Sequence, residues 1–363
     1  DNTISVFDAE SPDPVFRFQS DATRVSEARF VTGDSDLVSF GTTAGEAIEM
    51  WDVQTGEFKA RLGELTSTGL KQVTVHPERP FIAVRHGSAA TIVIDTERQK
   101  AIALDDDGAR RLCFYRDKLL SLSSATRPPV GTIATLPDDS RRIGQLSIWS
   151  LPDMMLVAQS PLSITSDYLE VDNQSGRMMV TGRGHRASVF TGKSNTPRFK
   201  SPIHPTPLVF AGFNNEGGLL TASVDGQVRL CDRNGDPVRD PAARNGTLLC
   251  GSLSADRKLF AAGGTDGTVV VWNLDTGEVS RPFSLGPSPV RSVAFDRTGQ
   301  RLLSVMRDGK VILTDRTTEE STELTRPNFP ATTARFSPDS KFVLLLPGRV
   351  NITWKESGGD YPV

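Results

Sequence analysis

The sequence predicts an all-β protein, a closed β-propeller of four-stranded antiparallel blades. Three observations carry that prediction. A short β-rich segment ending in an aromatic, apolar or small residue recurs along the whole chain. Each recurrence sits in the same local order of strands and turns. No segment shows the apolar periodicity of an amphipathic helix.

The recurring segments read TISVFD to Asp8, AIEMWD to Asp52, ATIVID to Asp95, QLSIWS to Ser150 and ASVFT to Thr191. They continue with QVRLCD to Asp232, TVVVWN to Asn273, KVILTD to Asp315 and VNITW to Trp354. Taking Phe7, Trp51, Ile94, Trp149, Phe190, Cys231, Trp272, Thr314 and Thr353 as markers, the spacings are 44, 43, 55, 41, 41, 41, 42 and 39. A fixed period of this length is the signature of a repeat architecture.

Residues 246–277 show the internal order. A first strand, TLLCGSLS, ends in the turn Ala255-Asp256-Arg257-Lys258. A second, LFAAGG, ends at Thr265-Asp266-Gly267, and the third, TVVVWN, runs into Leu274-Asp275-Thr276-Gly277. Asp-Gly recurs at Asp225-Gly226, Asp266-Gly267 and Asp308-Gly309. It tolerates the positive φ angles of a tight hairpin, so second and third strands are expected to pair antiparallel. Polar fourth strands follow as VFRFQ (15–19), FKARL (58–62), KAIAL (100–104) and STELT (321–325), a composition suited to an exposed edge.

Eight three-strand units begin near Val25, Gln72, Leu112, Tyr168, Leu208, Leu248, Val290 and Thr332. Seven is the alternative count if the irregular 43–66 or 112–150 unit is no blade. One propeller is expected to span 1–363, closed by the N-terminal strands 3–19 pairing with the C-terminal blade 332–354. Either VFRFQ alone completes a blade whose third strand is VNITW, or TISVFD supplies that third strand. Closure removes open sheet edges. The 55-residue spacing holds an insertion at 123–144, between second and third strands.

These residues carry a family resemblance. SVDGQVRLCD (223–232), GTDGTVVVWNLDTGEV (264–279), EMWDVQTGEF (49–58) and FSPDSKFVLLL (336–346) resemble WD40 repeats, most sharply between about 207 and 346. The resemblance implies a four-stranded blade per repeat and a surface for recognising proteins. One departure is that the family's Gly-His before the first strand has no counterpart among His76, His86, His185 and His204. The hydrogen bonds made by that His are therefore expected to be missing or replaced.

Composition narrows the function. The chain has 363 residues, with 41 basic and 44 acidic side chains, too balanced to be drawn as a whole onto nucleic acid or an anionic membrane. No apolar run is long enough to cross a bilayer as a helix. The three cysteines, Cys113, Cys231 and Cys250, form no disulfide framework and favour a reducing, cytoplasmic setting. The first residue is Asp1, so trimming is expected and any targeting segment would lie upstream.

Catalytic and cofactor motifs were sought. TGKSNT (191–196) lacks the earlier glycine of a phosphate-binding loop, where Ala187 stands, and occupies the turn after a third strand. His76-Pro77 aligns with Ser337-Pro338 in a first-to-second strand turn, and neither it nor His204-Pro205 has a second ligand at zinc spacing. Cys231 and Cys250 read as buried small hydrophobes. No metal or cofactor is expected. Arg outnumbers Lys 31 to 10, a bias that hints at a GC-rich, bacterial genome. Many of these arginines fall in loops assigned to one face: Arg24, Arg85, Arg110, Arg127, Arg142, Arg183, Arg186, Arg291, Arg307 and Arg349, with Arg111 and Arg141 beside them. Arg forks match carboxylate and phosphate oxygens, so this rim is the candidate site for an acidic or phosphorylated segment. The expected function is a non-catalytic platform for a protein or peptide, a monomeric module of a larger protein or complex. The alternative is a propeller enzyme, hydrolase-like or cofactor-dependent, with its site in the central channel.

Overall fold

The computed structural model describes residues 3–347 except 10–13, 23–24, 32–34, 42, 66–68, 87–90, 105–108, 125–143, 163–167, 173–174, 182–184, 192–196, 240–245 and 325–329. Those residues form 32 β-strands and no helix, grouped into eight four-stranded antiparallel sheets. Blades 1 to 7 span 27–64, 70–103, 109–162, 168–200, 208–239, 248–284 and 290–323, each in unbroken chain order. The irregular units, now blades 1 and 3, are complete, which excludes a count of seven.

Blade 8 joins both ends of the chain. Its order is Pro14–Gln19, Thr3–Asp8, Phe342–Pro347, Ala331–Phe336. Ser5 pairs with Leu345 and Val6 with Leu344, so TISVFD holds the third-strand place. Residues 350–354 lie outside those described, as do Arg349 and the body of the insertion.

The burial pattern explains why these segments become these strands. Second and third strands are covered on both faces: Leu219–Ser223 and Ile92–Asp95 are buried throughout. Such strands read as continuous apolar or small runs, because each sheet face meets a neighbouring blade. Outer strands such as Ser321–Glu323 are exposed along their length, which matches their polar sequence.

The core is divided by seam. Eight buried clusters occur, one for each blade-to-blade contact. The seam between blades 8 and 1 packs Ile4, Val6, Leu344 and Leu346 against Ala28, Leu37 and Trp51. At about 1.5–3 kcal/mol per fully buried large aliphatic side chain, each seam is a substantial adhesive surface. First strands of successive blades lie against one another, so they ring the axis.

Antiparallel alternation gives the ring two distinct faces. Loops entering first strands and the second-to-third hairpins share one, called here the upper face. First-to-second and third-to-fourth turns share the lower face.

Candidate functional site

The upper face is shaped by a repeated irregularity. In six blades the pairing of first with second strand slips at the same place, leaving Lys71, Arg110, Val209, Leu249, Arg291 and Thr332 as bulge residues. A bulge leaves one residue out of the ladder and re-aims it. Lys71 and Arg291 are exposed, and Leu249 keeps 41% of its surface. Two predicted rim arginines, Arg110 and Arg291, thus owe their position to a bulge. Arg85 is the penultimate residue of a second strand and Arg186 immediately precedes a third, both half-buried, while Arg307 is exposed in the blade 7 hairpin. Arg24, Arg127, Arg142, Arg183 and Arg349 lie outside the described residues, as does Arg141.

The hairpins beneath this rim are locked by hydrogen bonds, and here one sequence expectation is corrected. His204 does precede a first strand, that of blade 5. Its Nδ1 is 2.8 Å from Ser223 Oγ and its Nε2 is 2.8 Å from Thr221 Oγ1, with the ring fully buried. Ser223 Oγ lies 2.5 Å from the hairpin carboxylate Asp225, and the Asp225 amide donates to Thr206 Oγ1 at 3.1 Å. The loop between His204 and Leu208 was short enough to hide this equivalence, and the residue before His204 is Ile203 rather than Gly. Burial alone would raise the Asp225 carboxyl, but bonds from Ser223 and the Gln227 amide hold it below its ordinary value.

Blade 1 solves the same problem differently. Glu49, 2% exposed, accepts from Ser20 Oγ at 2.5 Å and from the Asp21 amide at 3.2 Å. Ser39 Oγ approaches the same carboxylate at 3.5 Å and accepts from Trp51 Nε1 at 3.0 Å. Trp149 repeats the last step in blade 3, donating to Ser121 Oγ at 3.1 Å. Sequence reasoning missed Glu49, whose only signal is a charged residue between Ile48 and Met50 in a strand buried on both faces.

The lower face has its own lock. His76, Asp172, Asn214, Ser254, Asp296 and Ser337 each follow a first strand and are between 2 and 7% exposed. Their side chains accept amides of the turn that follows: Ser337 Oγ takes the Phe342 amide at 2.9 Å, Asp296 the Arg301 amide at 3.1 Å. His76 Nδ1 accepts from the Glu78 and Arg79 amides, both at 3.0 Å, so Nε2 carries the proton and donates to the Arg116 carbonyl of blade 3 at 2.5 Å. Burial pushes this imidazole below its ordinary pKa. Its predicted alignment with Ser337 is therefore a shared mechanical role.

Arg29 and Arg335 occupy equivalent places in blades 1 and 8 and share Glu27; Arg335 Nε is 3.6 Å from its carboxylate. Burial, then the charge of Arg335, lowers Arg29 to about 10. In blade 4, burial pushes Glu170 up to about 7, and Tyr168 donates to it at 3.3 Å. Burial likewise pushes the Cys113 and Cys250 thiols up to about 11, far from thiolate character. Among the described residues no three of His, Cys, Asp and Glu gather as metal ligands.

Comparison with known proteins places this geometry. The family model described as WD domain, G-beta repeat matches residues 242–273 and 280–315, that is, blades 6 and 7. Eukaryotic translation initiation factor 3 subunit I of Debaryomyces hansenii is 33% identical over 104 residues, covering 28% of this chain and 30% of that protein. The Retinoblastoma-binding protein 5 homolog of Drosophila melanogaster is 30% identical over 128 residues, covering 33% of this chain and 26% of that one. The match thus spans less than a third of either relative. Both organisms are eukaryotes, so the bacterial source suggested by arginine usage gains no support from them. Among solved structures, the computationally designed Ika8 protein aligns with TM-score 0.69 at 14% identity, over 92% of this chain and 99% of its own. The C-terminal WD40 domain of Sif2 aligns with TM-score 0.59 at 12% identity, over 93% and 86%. At such identities the likeness is one of fold.

Proposed function

We propose that this chain, a WD40-repeat propeller of eight blades, is a non-catalytic platform that binds a protein or peptide on its upper face. One observation carries the reading. The buried polar groups traced above close turns or tie blades together, while the residues the bulges turn outward, Lys71, Leu249 and Arg291, are left for contact. An apolar side chain in blade 6 with a cation in the next blade, Leu249 and Arg291, suits a partner segment that presents an apolar residue beside acidic or phosphorylated ones. The curated relatives support a role in assemblies, since one is by name a subunit and the other a binding protein.

In this reading the chain acts as a monomeric module in the cytoplasm and uses neither nucleic acid nor membrane as a ligand. The test is cross-linking mass spectrometry of the protein in its native lysate. Partner cross-links are expected to concentrate on upper-face loops, and Arg85→Glu, Arg186→Glu, Arg291→Glu and Arg307→Glu together should abolish them. Partner binding unchanged by all four reversals would remove the acidic-partner reading.

A further inference from the structure

On the lower face, grooves open at three seams between blades, and they differ sharply in charge. The groove between blades 5 and 6, about 430 Å³, is lined by Glu216, Asp232 and Asp275 with one arginine, Arg233. That between blades 7 and 8, also about 430 Å³, carries Asp296, Asp315 and Glu320 with Arg301. The groove between blades 4 and 5, about 490 Å³, is lined among the described residues by Ser175, Arg177, Thr191, Arg198, Arg233 and Asn234, none of them a carboxylate.

The three guanidiniums there have different states. Arg177 forms the floor: its side chain is 7% exposed and lies over the Phe213 ring. It donates to Ser175 Oγ at 3.0 Å, to the Arg233 carbonyl at 3.0 Å and to the Gly217 carbonyl, and its charge is balanced by Asp172 at 3.9 Å. Arg198 and Arg233 flank the opening and are exposed. Among the described residues neither pairs with a carboxylate; Arg198 reaches only Asn234 Oδ1, at 3.5 Å. Their charges also bear on Arg177, whose guanidinium is pulled below its ordinary value first by burial and then against Asp172 by these two neighbours.

We infer that the blade 4–5 groove is a second binding site, for a phosphoryl group carried on a partner peptide. Two exposed guanidiniums, neither ion-paired among the described residues, over a floor where Arg177 already offsets Asp172 match a phosphate monoester, which brings close to two negative charges and three acceptor oxygens near neutral pH. A single carboxylate would neutralise one of the two. The neighbouring groove between blades 5 and 6 also reaches Arg233 but has Glu216, Asp232 and Asp275 in its lining, so the two grooves differ by seam and not by general surface charge. The inference takes from the proposed function only the idea that the carrier is a peptide, and it uses the opposite face.

Fluorescence anisotropy on the intact chain tests it. The probe is a labelled glycine–serine peptide with one central phosphoserine; the competitors are inorganic phosphate and the unphosphorylated peptide. Saturable binding of the phosphopeptide is expected, with inorganic phosphate a weaker competitor and the unphosphorylated peptide none. Arg198→Gln with Arg233→Gln should weaken binding about tenfold per guanidinium, the loss of a charge-assisted hydrogen bond, without altering the melting temperature. Arg233→Lys should weaken it less, keeping charge while losing the fork. Arg61→Gln, at an exposed arginine of the blade 1 outer strand, should leave it unchanged. No saturable binding, or equal binding by the double glutamine variant, overturns the site. Inorganic phosphate competing as strongly as the peptide overturns the peptide as carrier. Absence of partner cross-links from the upper face of the wild-type chain, with phosphopeptide binding intact, would sink only the proposed function.

Discussion

His76 and Ser337 hold the same place in two blades, yet only one of them titrates. Both side chains accept amides of the turn after a first strand. His76 must stay neutral to do so, because a protonated Nδ1 could no longer accept. Burial keeps its folded pKa below 6.5, so in acid the unfolded chain takes up a proton that the fold refuses. The stability contributed by the neutral ring is complete above the unfolded value and is lost as pH falls from about 6.5 towards the folded pKa. His76→Ser should keep the turn and lose the tie to the Arg116 carbonyl. The variant is expected to melt lower than the wild type at pH 8, with the gap narrowing by pH 5.5; a constant gap in thermal melts would refute the assignment.

At the scale of the strand and its turn, legibility followed range. Asp-Gly hairpins were readable because their chemistry is local, and Gly226, Gly267 and Gly309 do have positive φ angles of 87°, 74° and 93°. Gly267 is hemmed in as well, since a Cβ there would stand 1.8 Å from the Gly286 carbonyl oxygen. Gly267→Ala should therefore cost more than the about 1–3 kcal/mol of the strained backbone alone, read as a lowered denaturation midpoint. An unchanged midpoint would mean that the hairpin relaxes freely. The locks were less readable. Glu49 meets Ser20 across 29 residues, and Arg177 meets the Arg233 carbonyl across 56. The role of His204 is not legible in the sequence because its partners, Thr221 and Ser223, become neighbours only once blade 5 has folded. The rim arginines came from loop position alone, and for Arg110 and Arg291 the bulge that places them is invisible to a count of strand residues. The lower-face groove was missed for the same reason: Arg177, Arg198 and Arg233 come from two blades.

For the whole molecule, closure depends on strands from opposite ends of the chain. Seven blades are contiguous in sequence, and a contiguous blade can form before its neighbours do. Blade 8 cannot, since Thr3–Asp8 must find Phe342–Pro347. That strand does two jobs at once. It covers the hydrogen-bonding edge of Phe342–Pro347, and its side chains enter two seams: Ile4 and Val6 pack towards blade 1, Phe7 towards blade 7. Removing residues 1–19 should therefore leave an open edge and two half-empty seams, with aggregation as the expected outcome. Covalently the missing strands reach blade 1 through residues 20–26, but they pair with Phe342–Pro347 from the other end of the chain, so their pairing should not require that covalent link. A synthetic peptide of residues 1–19, added during refolding of the truncated protein, is expected to restore a monomeric species in sedimentation and a cooperative melt. A variant peptide carrying Ile4→Asp and Val6→Asp presents the same backbone donors without the apolar seam and should fail. If it restored the melt as well as the native peptide, edge pairing alone would close the ring and seam packing would be incidental. If the truncated chain were monomeric and cooperative unaided, blade 8 would not be the closure of the fold.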